Sequence, residues 1–285
     1  MKWSNIKELL MHILFFLTAC VSIFAVVLIC VFLFANGIPA IGKIGVFKFL
    51  LGTKWKPGND IYGILPMILG SLYVTAGAII IGVPIGLLTA VFLAKFCPKG
   101  LYKILKPATE LMAGVPSVVY GFFGLVVLVP LVQNIFGVAG NTMLTASVLL
   151  GIMILPTIIG VSESAIRAVP DSYYEGSLAL GASHERSVFF ATLPAARSGI
   201  LAGVVLGIGR AIGETMAVVM VAGNKERMPQ GLLDGVRTMT ANIVMEMGYA
   251  TDLHREALIA TAVVLFVFIL VINVTFSLLR RKDRA

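Results

Sequence analysis

Long stretches without a charged side chain dominate this sequence of 285 residues. Residues 9–42, 61–94, 111–162 and 257–279 contain no Asp, Glu, Lys or Arg. A helix needs about 20 apolar residues to cross the ~30 Å hydrocarbon core of a bilayer, so each stretch can hold at least one crossing. Hydrophobic residues make up 59% of the chain and charged residues only 13%. The sequence therefore predicts an integral membrane protein.

The uncharged stretches predict an all-α membrane protein with six transmembrane helices. The stretch 111–162 must hold two of them, because residues 133–142 combine Gln, Asn and Gly in a turn-forming pattern. An uncleaved first helix is favoured over a signal peptide, since its apolar run exceeds about 15 residues and no small-residue cleavage site follows. The predicted spans are residues 13–34, 61–94, 113–132, 143–161, 198–222 and 257–279.

The net charge of +8 is explained by membrane orientation rather than by nucleic-acid binding. Six spans place both termini on one side of the membrane. Lys and Arg are more numerous in the segments on that side than in the loops on the other side. Because cytoplasmic loops carry the excess of basic residues, we expect a multi-pass protein of the cell membrane with both termini cytoplasmic. Membrane lipid is an expected partner, and nucleic acid is not.

The sequence gives no support for a cofactor or a metal site. The three cysteines and three histidines lack metal-ligand spacing. Residues 37–43 imitate a phosphate-binding loop, but Ile44 stands where a magnesium-binding Ser or Thr is needed, and no strand precedes it. We therefore expect no cofactor, metal or nucleotide on this chain.

A polar stretch from Ser172 to Pro194 separates the fourth and fifth predicted spans. Ser172 and Glu175 have the spacing of a capping box, which predicts a helix start. Gly181 can take the left-handed conformation that ends this helix. Ser183 is predicted to cap a second helix, and Pro194 is predicted to end it. The stretch therefore predicts two short helices around a glycine.

Two opposite charges lie inside the predicted fifth span, residues 198–222. Arg210 and Glu214 are four residues apart and are predicted to meet on one helix face. One interpretation is a self-neutralised pair that holds helices together. The other is a polar path, in which the guanidinium binds an oxyanion such as phosphate or sulfate. Thr215 and Ser117 could donate hydrogen bonds to a solute on such a path.

The spacing of the polar stretch resembles the EAA loop of ABC-transporter permeases. Glu175, Gly181 and the Leu193-Pro194 pair stand at the family's spacing. Two positions depart from the family pattern: Gly-Ser replaces the usual Ala-Ala after the glutamate, and Ala191 replaces Ile. The family uses this helix–turn–helix to dock on an ATPase subunit. Residues 110–124 and Gly-Arg-Ala-Ile-Gly-Glu-Thr-Met-Ala-Val at 209–218 further resemble phosphate permeases of the protein C type.

This resemblance implies a type I ABC importer permease fold and a non-catalytic subunit that translocates inorganic phosphate. ATP hydrolysis would belong to a separate ATPase dimer. The implied partners are a homologous permease of the protein A type, forming a heterodimer, and an extracytoplasmic phosphate-binding protein. The implied substrate-path residues are Arg210, Glu214, Thr215 and Ser117. The implied ATPase-coupling residues are Glu175, Gly181, Ala182, Leu193 and Pro194.

The expected organisation is an N-terminal helix and external loop over residues 1–62, followed by a permease core over 63–285. Within that core, the coupling loop covers residues 166–197. A permease for a related oxyanion, sulfate or molybdate, is the nearest alternative. A proton-coupled carrier could also use Arg210 and Glu214. A membrane enzyme would need acid, base or metal ligands near one leaflet, and the sequence shows no such constellation.

Overall fold

The structure is a computed structural model that describes residues 3–282. Within those residues, six helices are long and apolar enough to cross a membrane. This confirms the predicted number of spans. Residues 283–285, part of the predicted cytoplasmic C-terminal tail, lie outside the described residues. The candidate spans are Lys7–Ile44, Leu65–Phe96, Ser117–Phe136, Met143–Arg167, His184–Gly213 and Asp252–Thr275.

The α-helices number thirteen within the described part of the chain, with one short hairpin between the second and third. Three joints between helices are π-helical turns, Phe92–Phe96, Gly124–Leu128 and Val188–Thr192. The hairpin consists of β1 (Trp55–Lys56) and β2 (Ile61–Tyr62), which pair antiparallel. The helices are α1 Trp3–Ile44, α2 Val46–Leu51, α3 Leu65–Val91, α4 Lys99–Gly114, α5 Ser117–Phe123, α6 Val129–Phe136, α7 Met143–Arg167, α8 Asp171–Ala179, α9 His184–Ser187, α10 Leu193–Gly213, α11 Met216–Val221, α12 Met239–Glu246 and α13 Asp252–Lys282.

Helix α1 extends beyond its predicted end at residue 34 and continues through Pro39 to Ile44. Contacts with α13 account for this extension. The rings of Phe34 and Phe266 meet edge to face with centroids 5.8 Å apart. Lys43 Nζ forms an ion pair with Glu256 at 2.7 Å. The earlier turns of α1 expose Leu, Phe and Val side chains, as expected of a helix that faces lipid.

The core of the bundle is built from α3, α7 and α10. Helix α7 lies between the other two and supplies fully buried apolar side chains, including Leu149, Ile154 and Ile158. Glycines allow the backbones to approach closely: a Cβ on Gly82 would lie 2.8 Å from the Gly151 carbonyl oxygen. Small residues at helix contacts are typical of membrane bundles, because lipid provides no hydrophobic force between helices.

The predicted fifth span is not a continuous helix. Helix α10 ends at Gly213, Glu214 has an extended backbone (φ −68°, ψ 133°), and α11 begins at Met216. The break is stabilised from outside this segment, since Thr240 Oγ1 donates to the Glu214 carbonyl oxygen at 3.0 Å. Non-helical backbone at membrane depth needs hydrogen-bond partners of this kind. The hydrophobic pattern of the sequence does not indicate them, because they come from a distant segment.

The ends of the bundle differ in structure. One end, called here the α8–α9 end, carries α8 and α9. The far end carries the hairpin and the segment 223–251, which is part of the connection 223–256 between the predicted fifth and sixth spans. Thr238 in this segment caps α12 by accepting from the Ala241 N–H at 3.2 Å. The last span starts earlier than its predicted residue 257, because α13 begins at Asp252. Because the chain crosses the bundle six times, the last helix, α13, finishes at the α8–α9 end.

We predict that Gly82→Ala destabilises the bundle by about 1–3 kcal/mol, the usual range for overpacking. The added methyl group would lie 2.8 Å from both the Gly151 carbonyl oxygen and Ile154. The matched control is Gly160→Ala, whose Cβ would meet no atom within 4 Å. Thermal unfolding of the purified chain in detergent measures both. An unchanged midpoint for Gly82→Ala would contradict this packing.

Candidate functional site

The α8–α9 loop, residues 171–192, begins with a helix that ends at a glycine as predicted. Gly181 has a left-handed backbone, φ +85°. Its N–H donates to the Leu178 carbonyl at 2.9 Å, and the Ala182 N–H donates to the Ser177 carbonyl at 3.2 Å. These two bonds form a Schellman motif, which satisfies carbonyls left free at the end of α8. A side chain at Gly181 would strain this turn.

Of the other three local predictions for this loop, two are wrong and one is confirmed. The capping box at Ser172 is absent, because α8 starts at Asp171 after Pro170 and places Ser172 inside the first turn. Ser183 does cap α9, since its Oγ accepts from the Arg186 N–H at 3.3 Å. Pro194 does not end a helix. It lies in the first turn of α10, where a missing N–H is tolerated.

The loop presents polar and apolar side chains outward while its base is fixed to the bundle. Glu175 is exposed, and Leu180 at the tip is 92% exposed. Ala182 and Leu193 are half-buried. Inside the loop, Tyr174 Oη and His184 Nδ1 lie 2.7 Å apart and hydrogen-bond. The arrangement is a preformed surface on two short helices.

Arg210 lies near the middle of the bundle. One of its Nη atoms donates to Thr157 Oγ1 at 3.3 Å. Thr157 is near the centre of α7, ten residues or about 15 Å from its end at Arg167. Within residues 3–282, no carboxylate forms an ion pair with Arg210. Among the described residues, the hydrogen-bond partner of this guanidinium is thus a hydroxyl group and not a carboxylate.

The predicted contact between Arg210 and Glu214 is wrong. The helix ends between them, so the four-residue spacing no longer places them on one face. Glu214 Oε1 instead accepts from the N–H groups of Thr215 at 3.1 Å and Ala217 at 3.3 Å. Its carboxylate satisfies the start of α11. The Thr215 hydroxyl donates to the Gly213 carbonyl at 3.2 Å, within the same break.

Ser117 starts α5, which packs beside the break between α10 and α11. A Cβ on Gly121 in α5 would lie 3.0 Å from Ala217 Cα in α11. Tyr120 belongs to the same buried cluster as Ala211 and Ala217. The structure therefore brings the four predicted path residues into one region, with Ser117 half-buried one turn before Tyr120.

A buried cluster around Glu163 was missed by sequence reasoning. Glu163 is 1% exposed and accepts from Tyr102 Oη at 2.8 Å, Lys106 Nζ at 2.9 Å and Arg167 Nε at 2.8 Å. The hydrogen bond to Glu163 raises the pKa of Tyr102. Burial alone would lower the pKa of Lys106, but its hydrogen bond with Glu163 and the charge of that carboxylate raise it. The available signal was the Glu163–Arg167 spacing of one helical turn.

A second buried cluster lies at the far end. Glu246 accepts from Arg237 Nη1 at 2.6 Å and Trp55 Nε1 at 2.9 Å, and it lies 2.8 Å from His254 Nε2. Arg237 also pairs with the more exposed Glu226 at 2.8 Å. These contacts join the hairpin, α12 and α13 across long sequence separations. No local pattern in the sequence indicates them.

Comparison with known proteins decides the family. The model of the family described as "Binding-protein-dependent transport system inner membrane component" matches residues 82–284. That range contains α7, the α8–α9 loop, Arg210 and the break that follows it. The chain belongs to this family of membrane transport components. The predicted resemblance to ABC importer permeases is thereby confirmed.

Two relatives cover most of this permease. It is 38% identical to the "Probable ABC transporter permease protein YqgH" of Bacillus subtilis, over 93% of this chain and 89% of the relative. It is 34% identical to the "Phosphate transport system permease protein PstC" of Mesorhizobium japonicum, over 90% of this chain and 84% of the relative.

The fold is that of an ABC importer permease. A chain from the "Crystal structure of bacterial alginate ABC transporter in complex with alginate pentasaccharide-bound periplasmic protein" matches with a TM-score of 0.65. The match covers 98% of this permease and 97% of that chain at 18% identity. The first span and its connection are thus included in the shared fold.

We predict that Glu246→Ala destabilises the far end by about 3–5 kcal/mol, because it leaves Arg237 as a buried charge without its closest partner. The matched control is Glu226→Ala. The Glu226 side chain is 42% exposed, against 5% for Glu246. Glu226→Ala should therefore lower the free energy of unfolding by about 1 kcal/mol or less. Unfolding followed by tryptophan fluorescence compares the two, with Trp3 replaced by Phe so that Trp55 is the reporter. Equal losses would show that the burial of Glu246 is unimportant.

Proposed function

We propose that this permease is one of two membrane subunits of an ATP-driven importer of inorganic phosphate. The observation that carries the proposal is the guanidinium of Arg210, held by Thr157 near the centre of the bundle at 3.3 Å and without an ion-pair partner among residues 3–282. A charge at membrane depth is costly unless it faces water, protein or a solute. An anion in transit provides the counter-charge that the bundle lacks.

Phosphate is the solute that the observations favour. A guanidinium binds phosphate oxygens through two parallel N–H donors, which a lysine cannot do. The relative from Mesorhizobium japonicum is named as a phosphate transport permease, and it covers most of this chain. Sulfate and molybdate offer similar oxygen geometry, so they are the competing solutes.

The path residues have different roles in this proposal. Arg210 contacts the anion directly. Glu214 fixes the start of α11 by accepting two N–H groups, and so keeps a backbone break open next to Arg210. Ser117 carries a hydroxyl group in the same region and supplies a further hydrogen bond to the solute. The Thr215 hydroxyl donates to the Gly213 carbonyl at 3.2 Å and supplies a bond to the solute by exchanging that partner. The broken helix allows polar backbone to line a path across the bundle.

Energy is supplied by a separate ATPase dimer that docks on the α8–α9 loop. The exposed tip around Leu180 and the preformed turn at Gly181 support this role. The chain itself is non-catalytic. The α8–α9 end and both termini face the cytoplasm, while the far end receives an extracytoplasmic phosphate-binding protein. The second membrane subunit is a homologous permease of the protein A type, in a heterodimer. The docking residues are Glu175, Gly181, Ala182, Leu193 and Pro194.

The proposed permease function also divides the chain into two parts. Residues 1–62 form a peripheral helix and an external connection, and residues 63–285 form the permease core. The coupling loop with its flanks covers 166–197. The low burial of α1 supports this division, since none of its most apolar window is buried inside the bundle.

We predict that Arg210→Ala lowers phosphate uptake by the reconstituted complex about tenfold or more, the effect of losing a charged hydrogen-bond donor. Arg210→Lys keeps the charge without the paired donors and should give intermediate uptake. Gly209→Ala is the assembly control, because its Cβ would meet no atom within 4 Å. Uptake of labelled phosphate into proteoliposomes measures all three. Native uptake by Arg210→Ala would remove the proposed contact.

The same proteoliposomes test the competing functions. The proposal expects ATP-dependent uptake of labelled phosphate that excess sulfate or molybdate does not block. Uptake of sulfate or molybdate in place of phosphate would assign the permease to a related oxyanion. Uptake that continues without ATP and collapses with the proton gradient would instead indicate a proton-coupled carrier.

A further inference from the structure

Glu163 occupies a position that no path or docking role explains. It lies one turn before the end of α7, buried to 1% exposure, with three hydrogen-bond donors around its carboxylate. Two of the donors, Tyr102 and Lys106, come from α4. The third, Arg167, comes from the last turn of α7 itself. Removing a hydrogen-bond donor from a buried carboxylate costs free energy, because the charge loses a partner that water cannot replace. The helices that carry the donors are therefore held together.

Arg167 connects this cluster to the end of α3. Its Nη2 donates to the Leu93 carbonyl at 2.7 Å, in the π-helical turn Phe92–Phe96. Its guanidinium also lies over the ring of Tyr102, 4.6 Å from the centroid. Glu163 on α7 therefore bonds α4 directly, and it is connected to the π-helical turn through Arg167. Such turns are frequent at functional sites.

The same π-helical turn contacts the α8–α9 loop. The ring of Phe96 meets His184 edge to face with centroids 4.8 Å apart, and Lys95 Nζ lies 5.6 Å from the ring centroid of Tyr174. Since Tyr174 and His184 bond each other, both short helices of the loop rest on this turn. A displacement of the loop is therefore transmitted to Phe92–Phe96 by direct contact.

At its other end, α4 leads to the substrate path. The Tyr120 hydroxyl donates to the Met112 carbonyl at 2.9 Å and so ties α5 to the last turn of α4. Ser117, a proposed path residue, lies between these two anchor points at the start of α5. A rigid displacement of α4 therefore moves Ser117 relative to α10.

We propose that Glu163 is a positioning residue that couples the α8–α9 loop to the start of α5. The contacts run from the loop through Phe92–Phe96, Arg167 and Glu163 to α4, and from α4 to Ser117. This inference rests on the proposed function, because it assigns the route by which ATPase movement reaches the path. A cluster that only held α4 in place would support folding and would leave coupling unchanged.

Glu163→Gln tests the route with a side chain of nearly equal volume. The complex of both permeases, the ATPase and the binding protein is reconstituted, and phosphate uptake is measured against ATP hydrolysis. We expect hydrolysis to persist while phosphate transported per ATP falls roughly fivefold or more, as for a lost coupling between distant sites. Tyr102→Phe removes one donor but keeps the ring over Arg167, and should give a smaller fall.

Glu110→Gln is the matched control. Glu110 also pairs with Lys106, at 3.6 Å, but its side chain is 65% exposed against 2% for Glu163. Glu110→Gln should keep the native ratio of phosphate transported to ATP hydrolysed. The proposal would be overturned if Glu163→Gln transported as much phosphate per ATP as the native complex, including the case in which uptake and hydrolysis fall in the same proportion. The cluster would then be purely structural.

A second readout separates this inference from the identity of the solute. Ser117→Cys is introduced after Cys20, Cys30 and Cys97 are replaced by Ala, and thiol labelling is compared with and without ATP. The inference expects ATP to change the labelling rate, and expects Glu163→Gln to remove that change while hydrolysis continues. An ATP-dependent change that survives Glu163→Gln would overturn it. Absence of phosphate uptake by the native complex would count against the proposed function alone.

Discussion

Close backbone contact among α3, α7 and α10 is the constraint on which the rest of this permease depends. In a bilayer, apolar side chains gain nothing by leaving lipid for one another, so helix association relies on packing and hydrogen bonds. The approach of Gly82 to the Gly151 carbonyl and of Gly207 to Ile158 provides that packing. Helix α7 lies at the centre of these contacts and carries the two polar anchors that matter most, Thr157 and Glu163.

In the proposed mechanism, the two anchors on α7 serve different parts of the transport cycle. Thr157 holds Arg210 near the middle of the bundle, beside the break that separates α10 from α11. Glu163 holds α4 and Arg167 at the α8–α9 end. The central helix thus separates the proposed solute contact from the proposed coupling contact by six residues, about 9 Å along its axis. Because Thr157 and Glu163 lie this close on one helix, a single displacement of α7 would move both contacts.

Local rules predicted those features that depend on neighbouring residues. The six spans followed from uncharged length, and the left-handed turn at Gly181 followed from a glycine at the end of a polar helix. The contact between Arg210 and Glu214 was predicted wrongly, because the four-residue rule assumes a continuous helix. Glu214 bonds the backbone of α11, and Thr240, from a distant segment, satisfies the carbonyl at the break. The partners of Glu163 on α4 are likewise too distant in sequence to be predicted locally.

The central claim is that the α8–α9 end receives the ATPase. The most direct measurement places a photo-crosslinking amino acid at Leu180, which is 92% exposed, and separately at Tyr249, which is 68% exposed at the far end. In the assembled complex, Leu180 should capture the ATPase subunit and Tyr249 should not. Capture of the ATPase from position 249, or its absence from position 180 in a complex that transports, would contradict the account.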